Sequence, residues 1–170
     1  MRIAVIADTH DKFPPNLPAR LQGADEIWHL GDVCEPSTLG EFQSLDKPLH
    51  VVLGNNEWHN FWPRELRLER AGLVFFLTHI PPGHIPADVN VVLHGHTHVP
   101  RDETDERGVR WLNPGCITGP SRGARASFAW PTPAVKCGGA FTATPAASRA
   151  AGLFPASARQ SSPAHHGSAP

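Results

Sequence analysis

Met1-Arg2-Ile3-Ala4-Val5-Ile6-Ala7-Asp8-Thr9-His10 opens the chain: an apolar run of strand length that meets an aspartate and then a histidine. The same pattern returns four times. Residues 27–30 run into Gly31-Asp32, 51–53 into Gly54-Asn55, 73–77 into Thr78-His79, and 89–93 into His94-Gly95-His96-Thr97-His98. The five runs are rich in Val, Ile, Leu and Phe without clean alternation, the pattern of strands buried on both faces. Between the early runs, 17–21 and 36–45 read as short helices, the second with Pro36 at its start. The result is an α/β alternation. In an open α/β sheet, ligands bind outside the carboxyl ends of the strands, so five polar punctuations at five strand ends predict one shared crevice.

Composition narrows what can bind there. Of 170 residues, 15 are Lys or Arg and 16 Asp or Glu, so no whole-molecule field draws the chain to nucleic acid or to an anionic membrane. A nucleic acid partner is expected only as a small nucleotide. The opening apolar run is too short for a signal segment or a membrane span. Three cysteines, Cys34, Cys116 and Cys137, are an odd number without short pair spacing, which argues against a disulfide framework or a zinc ribbon and for a reducing cytoplasm.

From Pro131 onward the composition changes. Of the 40 residues 131–170, 29 are Ala, Pro, Ser, Gly or Thr and none is Asp or Glu. Such a stretch buries too little apolar surface to offset its chain entropy and is expected to be disordered. The chain therefore divides into a domain, 1–130, and a tail, 131–170. Within the domain, 101–106 and 109–112 flank Arg107-Gly108 as a hairpin, Asn113-Pro114-Gly115 forms a tight turn, and 126–130 reads as a last strand.

The residues at the strand ends are Asp8, His10, Asp32, Asn55, His79, His96 and His98. Carboxylate and amide oxygens mixed with imidazole nitrogens suit manganese, iron, zinc or nickel, and the absence of cysteine there disfavours a thiolate zinc site. Two divalent ions roughly 3.5 to 4 Å apart can clamp a phosphoryl group and activate a water. His96 and His98 straddle Thr97, and in extended backbone they would point to one side together with His94, which is read as packing or hydrogen-bonding only.

In order and spacing these residues resemble the calcineurin-like metallophosphoesterase superfamily, and within it the small phosphodiesterase branch. The resemblance implies a four-layer αββα fold, a sandwich of two β-sheets flanked by helices. It implies a dinuclear centre, manganese with nickel, iron or zinc as alternatives: Asp8, His10 and His98 on the first metal, Asn55, His79 and His96 on the second, Asp32 bridging. It makes Asp32, Asn55 and His96 the catalytic residues and hydrolysis of a small phosphate ester the activity, with a phosphodiester favoured. The other readings are a phosphomonoesterase or dinucleoside polyphosphatase, and a protein-binding scaffold that has kept only the fold.

The chain departs from that family in three places. Where larger phosphatases carry a histidine after the asparagine ligand, this chain has Asn56, which cannot donate a proton as an acid and is read, with Arg122, as a substrate contact. His59 is the nearby substitute. Pro81, Pro82, Gly83 and Pro86 bar the helix that relatives carry after His79, which predicts an open crevice. Finally, the resemblance ends at Trp130; a reading-frame change there would account for the acid-free tail and leave a sheet edge exposed.

Other conspicuous residues are given structural roles. His29, His50, His84, His165 and His166 read as structural or solvated, and Trp28, Trp58, Phe61 and Trp62 as core rather than substrate wall. Arg64, Arg67 and Arg70 read as a solvated edge rather than a phosphate clamp.

Overall fold

The computed structural model describes residues 1–117 and 141–143. Two sheets face each other. Strands β1 (Ile3–Ile6), β2 (Glu26–His29), β3 (Leu49–Val51) and β9 (Phe141–Ala143) form the first, in the order β3-β2-β1-β9. Strands β4 (Glu65–Arg70), β5 (Leu73–Thr78), β6 (Val91–Leu93), β7 (Arg101–Thr104) and β8 (Arg110–Asn113) form the second, in the order β4-β5-β6-β8-β7. The strands that carry the polar punctuations are mutually parallel within each sheet: β1 with β2, β2 with β3, and β5 with β6. Their carboxyl ends thus leave each sheet on one side.

Period-two alternation decides which side chains fill which layer. Ile3, Val5 and Ala7 point between the sheets and meet Trp28, Leu30, Phe75, Leu77, Val91 and Leu93. Ala4 and Ile6 point outward with Ile27 onto Leu17 and Leu21 of α1 (Leu17–Leu21) and Phe42 of α2 (Gly40–Gln43), which continues a 3-10 turn at Pro36–Leu39. The two-sheet sandwich expected from the family is what forms. The outer face of the second sheet is covered differently: Phe76 and Val92 pack under Ile85 and Val89 of the loop 80–90, which contains no helix. Pro81, Pro82 and Pro86 impose that loop.

Three details differ from the sequence reading. β4 is a strand although it has no apolar run: Leu66 and Leu68 alternate with charged residues, as an edge strand with one face on the core should. The Val51–Leu53 run is displaced, since the strand is Leu49–Val51 and the chain leaves the sheet earlier. And the tail expected to lack order contributes β9, whose backbone pairs antiparallel with β1, so that the edge of β1 is covered. A backbone ladder requires no buried side chains, and Phe-Thr-Ala is compatible with a strand. Residues 126–130, Arg122, Cys137, His165 and His166 lie outside the described residues.

Away from the polar loops, Glu26 ties the two sheets together. Its carboxylate accepts from Trp28 Nε1 at 2.9 Å and from Arg70 of β4 at 2.7 and 3.2 Å, with His50 Nε2 at 3.4 Å. Burial alone would raise its pKa, but the Arg70 and Trp28 hydrogen bonds outweigh burial and hold it below the usual carboxylate range. The stability it supplies is therefore present above about pH 4.5 and lost as the pH falls through the lowered value. Glu26→Ala leaves Trp28 and Arg70 without their acceptor, and urea unfolding at pH 7 should show a loss of about 2–3 kcal/mol. At pH 3 the gap between Glu26→Ala and wild type should narrow. An unchanged gap at both pH values would mean that the clamp contributes nothing as an ion.

Candidate metal centre

Backbone hydrogen bonds stitch the polar loops together within each sheet, and across the sheets His96 N–H donates to the Asp8 carboxylate at 3.1 Å. Asp8 N–H donates to Gly31 O, His10 N–H to Asp32 O, and Gly95 N–H to His79 O. The turns are tight: Asp8, His10, Asp32, His96 and His98 all have positive φ, between 44° and 67°, a left-handed conformation that non-glycine residues adopt at a cost. His96 and His98 thus reach the site through a left-handed turn and not by strand alternation. His94 points elsewhere: it is buried, and its Nδ1–H donates to Gly95 O at 3.0 Å.

Two groups of ligand atoms result, with Asp32 between them. In the first, one atom each from Asp8, His10, Asp32 and His98 lies within 4.8 Å of the others. His10 Nε2 and His98 Nε2 face each other at 3.3 Å, His98 Nε2 is 3.5 Å from Asp8 Oδ1, and His10 Nε2 is 3.7 Å from Asp32 Oδ2. In the second, Asn55 Oδ1 is 2.9 Å from His79 Nε2 and 2.7 Å from His96 Nδ1, and Asp32 Oδ1 is 3.3 Å from His79 Nε2. His79 Nδ1 must donate to the Leu30 carbonyl, 2.8 Å away, so in the neutral ring the bare Nε2 lone pair faces two oxygen acceptors. Lone pairs pointed at lone pairs need a proton or a cation between them.

Protonation shows the same tension. Burial pushes the Asp8 carboxyl up to about 6 against the opposing pull of His79 and the His96 N–H, and Asp8 Oδ2 is shielded from solvent with no partner. Burial also works against Asp32 ionisation, but the His79 ring and both Asn56 hydrogen bonds more than compensate, and it stays well below the usual range. Burial would depress His79, yet Asp32 and the Leu30 carbonyl raise it. A partnerless buried carboxylate oxygen, facing imidazole nitrogens and a shared second carboxylate together fit hard divalent cations held by O and N donors. Burial and nearby carboxylates push the Cys34 thiol up to about 11, with Sγ 3.7 Å from His10 Nδ1.

The support beneath these residues is where sequence reading was thin. His29, read as merely structural, is fully buried and its tautomer is set. Gly31 N–H donates to its Nδ1 at 3.2 Å, so Nε2–H donates to Thr9 Oγ1 at 3.1 Å, and the Thr9 hydroxyl points to Asp32 O at 3.5 Å. Burial lowers its pKa to about 3, which keeps the ring neutral. Asn113, whose turn with Pro114 and Gly115 was expected to shape the floor of the site, donates from Nδ2 to Gly95 O at 2.8 Å and Thr97 Oγ1 at 3.1 Å while Oδ1 accepts from Gly115 N–H at 2.7 Å. Glu57 Oε1 accepts from Val33 N–H at 2.8 Å and so joins the third loop to the second. For His29 and Glu57 the one available signal was position, within two residues of a strand-end motif; for Asn113 it was the tight turn with Pro114 and Gly115.

Two expected contacts take a different form. Asn56 is turned onto Asp32, with Nδ2 2.6 Å from Oδ2 and N–H 3.0 Å from Oδ1, so it holds the shared carboxylate. His59 accepts from Phe61 N–H through Nδ1, and its Nε2 is shielded from solvent, so the nitrogen that would act as acid is not presented to the crevice. Trp58 and Phe61 are exposed rather than core, at 75% and 69%, while Trp28 is buried and Trp62 packs against the core.

Comparison with known proteins agrees with this geometry. Residues 1–133 match the family model for the calcineurin-like phosphoesterase superfamily domain. The chain belongs to that superfamily. It is 28% identical over 144 residues to Phosphodiesterase MJ0936 of Methanocaldococcus jannaschii, covering 68% of this chain and 83% of the relative. Among solved structures it resembles Vps29 of Entamoeba histolytica complexed with zinc, at 25% identity and a TM-score of 0.61 over 70% of this chain and 76% of the other. It also shares the fold of the Escherichia coli phosphoesterase YfcE, at 23% identity and a TM-score of 0.60 over 75% and 86%. These relatives include a phosphodiesterase by sequence and a zinc-complexed protein by structure, in keeping with the small phosphodiesterase branch and with a metal site. No helix among the described residues is long and apolar enough to cross a membrane.

Two measurements probe the centre. A proton on Asp8 competes with a cation, so manganese affinity by titration calorimetry should fall as the pH drops through about 6, and Asp8→Asn should abolish that step. Asn113→Asp keeps the acceptor but loses both donations to the 95–97 turn; metal affinity should drop by about 10- to 100-fold. Unchanged affinity would remove Asn113 from the support.

Proposed function

We propose that this phosphoesterase hydrolyses a small phosphodiester at a centre of two divalent metals, manganese being the leading candidate. Asp8, His10 and His98 would hold one, Asn55, His79 and His96 the other, and Asp32 both. The observation that carries the reading is the pair of donor groups sharing Asp32: atoms of Asp8, His10 and His98 crowd on one side of it, and the Asn55 oxygen faces two imidazole nitrogens on the other. When bound, such metals act as Lewis acids toward phosphoryl oxygens and lower the pKa of a water held between them.

The chain's own residues orient and hold. Asn56 fixes the Asp32 carboxylate through two hydrogen bonds and keeps it ionised, and the Leu30 carbonyl fixes the His79 ring. Neither supplies a proton to a leaving group. With Asn56 in place of a histidine and His59 Nε2 shielded, neither residue serves as an acid beside the crevice, which favours esters whose leaving group departs without protonation. A phosphomonoesterase or a dinucleoside polyphosphatase would need the same metals. A protein-binding scaffold is the reading that the Vps29 likeness suggests, and the complete donor set weighs against it. The free thiols of Cys34 and Cys116 suit a reducing cytoplasm.

Metal-stripped protein titrated with manganese, nickel, zinc or magnesium should regain hydrolysis of bis(4-nitrophenyl) phosphate in preference to 4-nitrophenyl phosphate. Asp32→Ala should lower the diester rate by about a thousandfold. Bound metal without turnover of either ester would favour the scaffold.

A further inference from the structure

The three arginines at 64, 67 and 70 look equivalent in sequence, and the fold separates them. Arg67 pairs with Asp88, and Arg70 with Glu26. Arg64 is exposed and has no ion-pair partner among the described residues, and the sequence contains no Asp or Glu beyond Glu106. Its side chain stands between two recesses that both include Leu53, Gly54 and Asn55, one of about 250 Å³ toward Ile80 and Pro81 and one of about 590 Å³ toward Trp58 and His59. An unpaired cation beside a residue of the metal centre is where a substrate anion would be met.

The larger recess has an aromatic wall. Trp58 is 75% exposed, yet it is not loose: His59 meets it edge to face with centroids 5.4 Å apart. His59 in turn stacks on Phe61 at 4.4 Å and 14°, and its ring is buttressed edge-on by Trp62 at 4.7 Å. Trp62 is anchored on the core. Trp58, Phe61 and Trp62 all pack on His59, and with Trp62 rooted in the interior the cluster holds an indole out to solvent in the recess shared with Asn55. Single exposed apolar residues are ordinary, but a braced aromatic wall on a recess of ligand size that a cation also lines has the composition of a site for a planar ring joined to a phosphate.

We propose that the recess walled by Trp58, His59 and Arg64 is a subsite for one ester arm of the substrate, and that it selects arms carrying a planar aromatic ring such as a nucleobase. Trp58 offers a face for stacking, and Arg64 meets the anionic end. The proposal rests on the hydrolytic reading above for its place in a reaction, but the recess can be tested by binding alone.

The probe is the methylene phosphonate analogue of adenosine 5′-monophosphate, in which a C–P bond replaces the ester, compared with the same ribose phosphonate lacking the base. Titration calorimetry on the manganese-loaded full-length chain should show the adenosine analogue binding about tenfold tighter. Trp58→Ala should collapse that ratio toward one, and Trp58→Phe should restore most of it, which separates a lost ring face from a disturbed fold. Arg64→Gln should weaken both analogues several-fold and leave their ratio intact. Equal affinity of the two analogues in the wild type, or a ratio that survives Trp58→Ala, would overturn the proposal, and the second would do so even if the diester assay succeeds. A ratio that behaves as expected without metal-dependent diester turnover would uphold the subsite and sink the hydrolytic reading.

Discussion

Asp32 can stand between two groups of donors because nothing occupies the Cβ positions of Gly31 and Gly54. A methyl group on Gly31 would lie 2.8 Å from both Gly54 N and His79 Nδ1, and one on Gly54 would fall on the Asp32 carboxylate and backbone nitrogen. Gly54 has an ordinary φ, so its requirement is purely steric; Gly31, at φ 89°, needs both the space and the left-handed turn. The loops after β2 and β3 therefore close on each other backbone to backbone. Every other feature of the centre depends on that approach, including the seat of Asn56 on Asp32 and the reach of His79 to the Leu30 carbonyl.

This closeness explains why the loops are strained. Five residues of the centre sit in left-handed backbone, and the cost, of order 1 kcal/mol or more at each, is borne by the surrounding ladder of backbone hydrogen bonds and by the two-sided core behind it. The neutral His29 between Gly31 and Thr9 is part of that frame. A charged imidazole would be costly in a fully buried position, and burial keeps the ring uncharged far below neutral pH. Its two nitrogens can then do opposite things, one accepting from the second loop and the other donating to the first.

Much of this was legible in the chain because the informative residues sit at chemically marked places. An apolar run ending in Gly-Asp, Gly-Asn or a residue pair with histidine announces a buried strand and a tight, polar exit, and five polar exits could only be reconciled by convergence. What the sequence did not disclose was of two kinds. β4 alternates Leu with Glu and Arg and so lacks a run to notice, and β9 is held by a backbone ladder that composition does not report. The directions of Asn56, His59 and Trp58 depend on the path of the loop 54–62, whose residues carry no periodicity. There, spacing identified the neighbourhood of the site but not which side chains turn inward.

The electrostatics of the centre argue that its two carboxylates are not equivalent. Asp32 receives two hydrogen bonds from Asn56 and faces His79, so it stays ionised without help, whereas Asp8 is desolvated and left with an oxygen that nothing satisfies. A cation arriving between Asp8, His10 and His98 removes an existing penalty, while one arriving beside Asn55, His79 and His96 competes with the Asp32 contact that already raises the His79 pKa. The two halves of the site should therefore differ in affinity even though they share Asp32. The asymmetry follows from solvation and hydrogen bonding alone, and it makes the Asp8 side the natural first point of attachment for a metal.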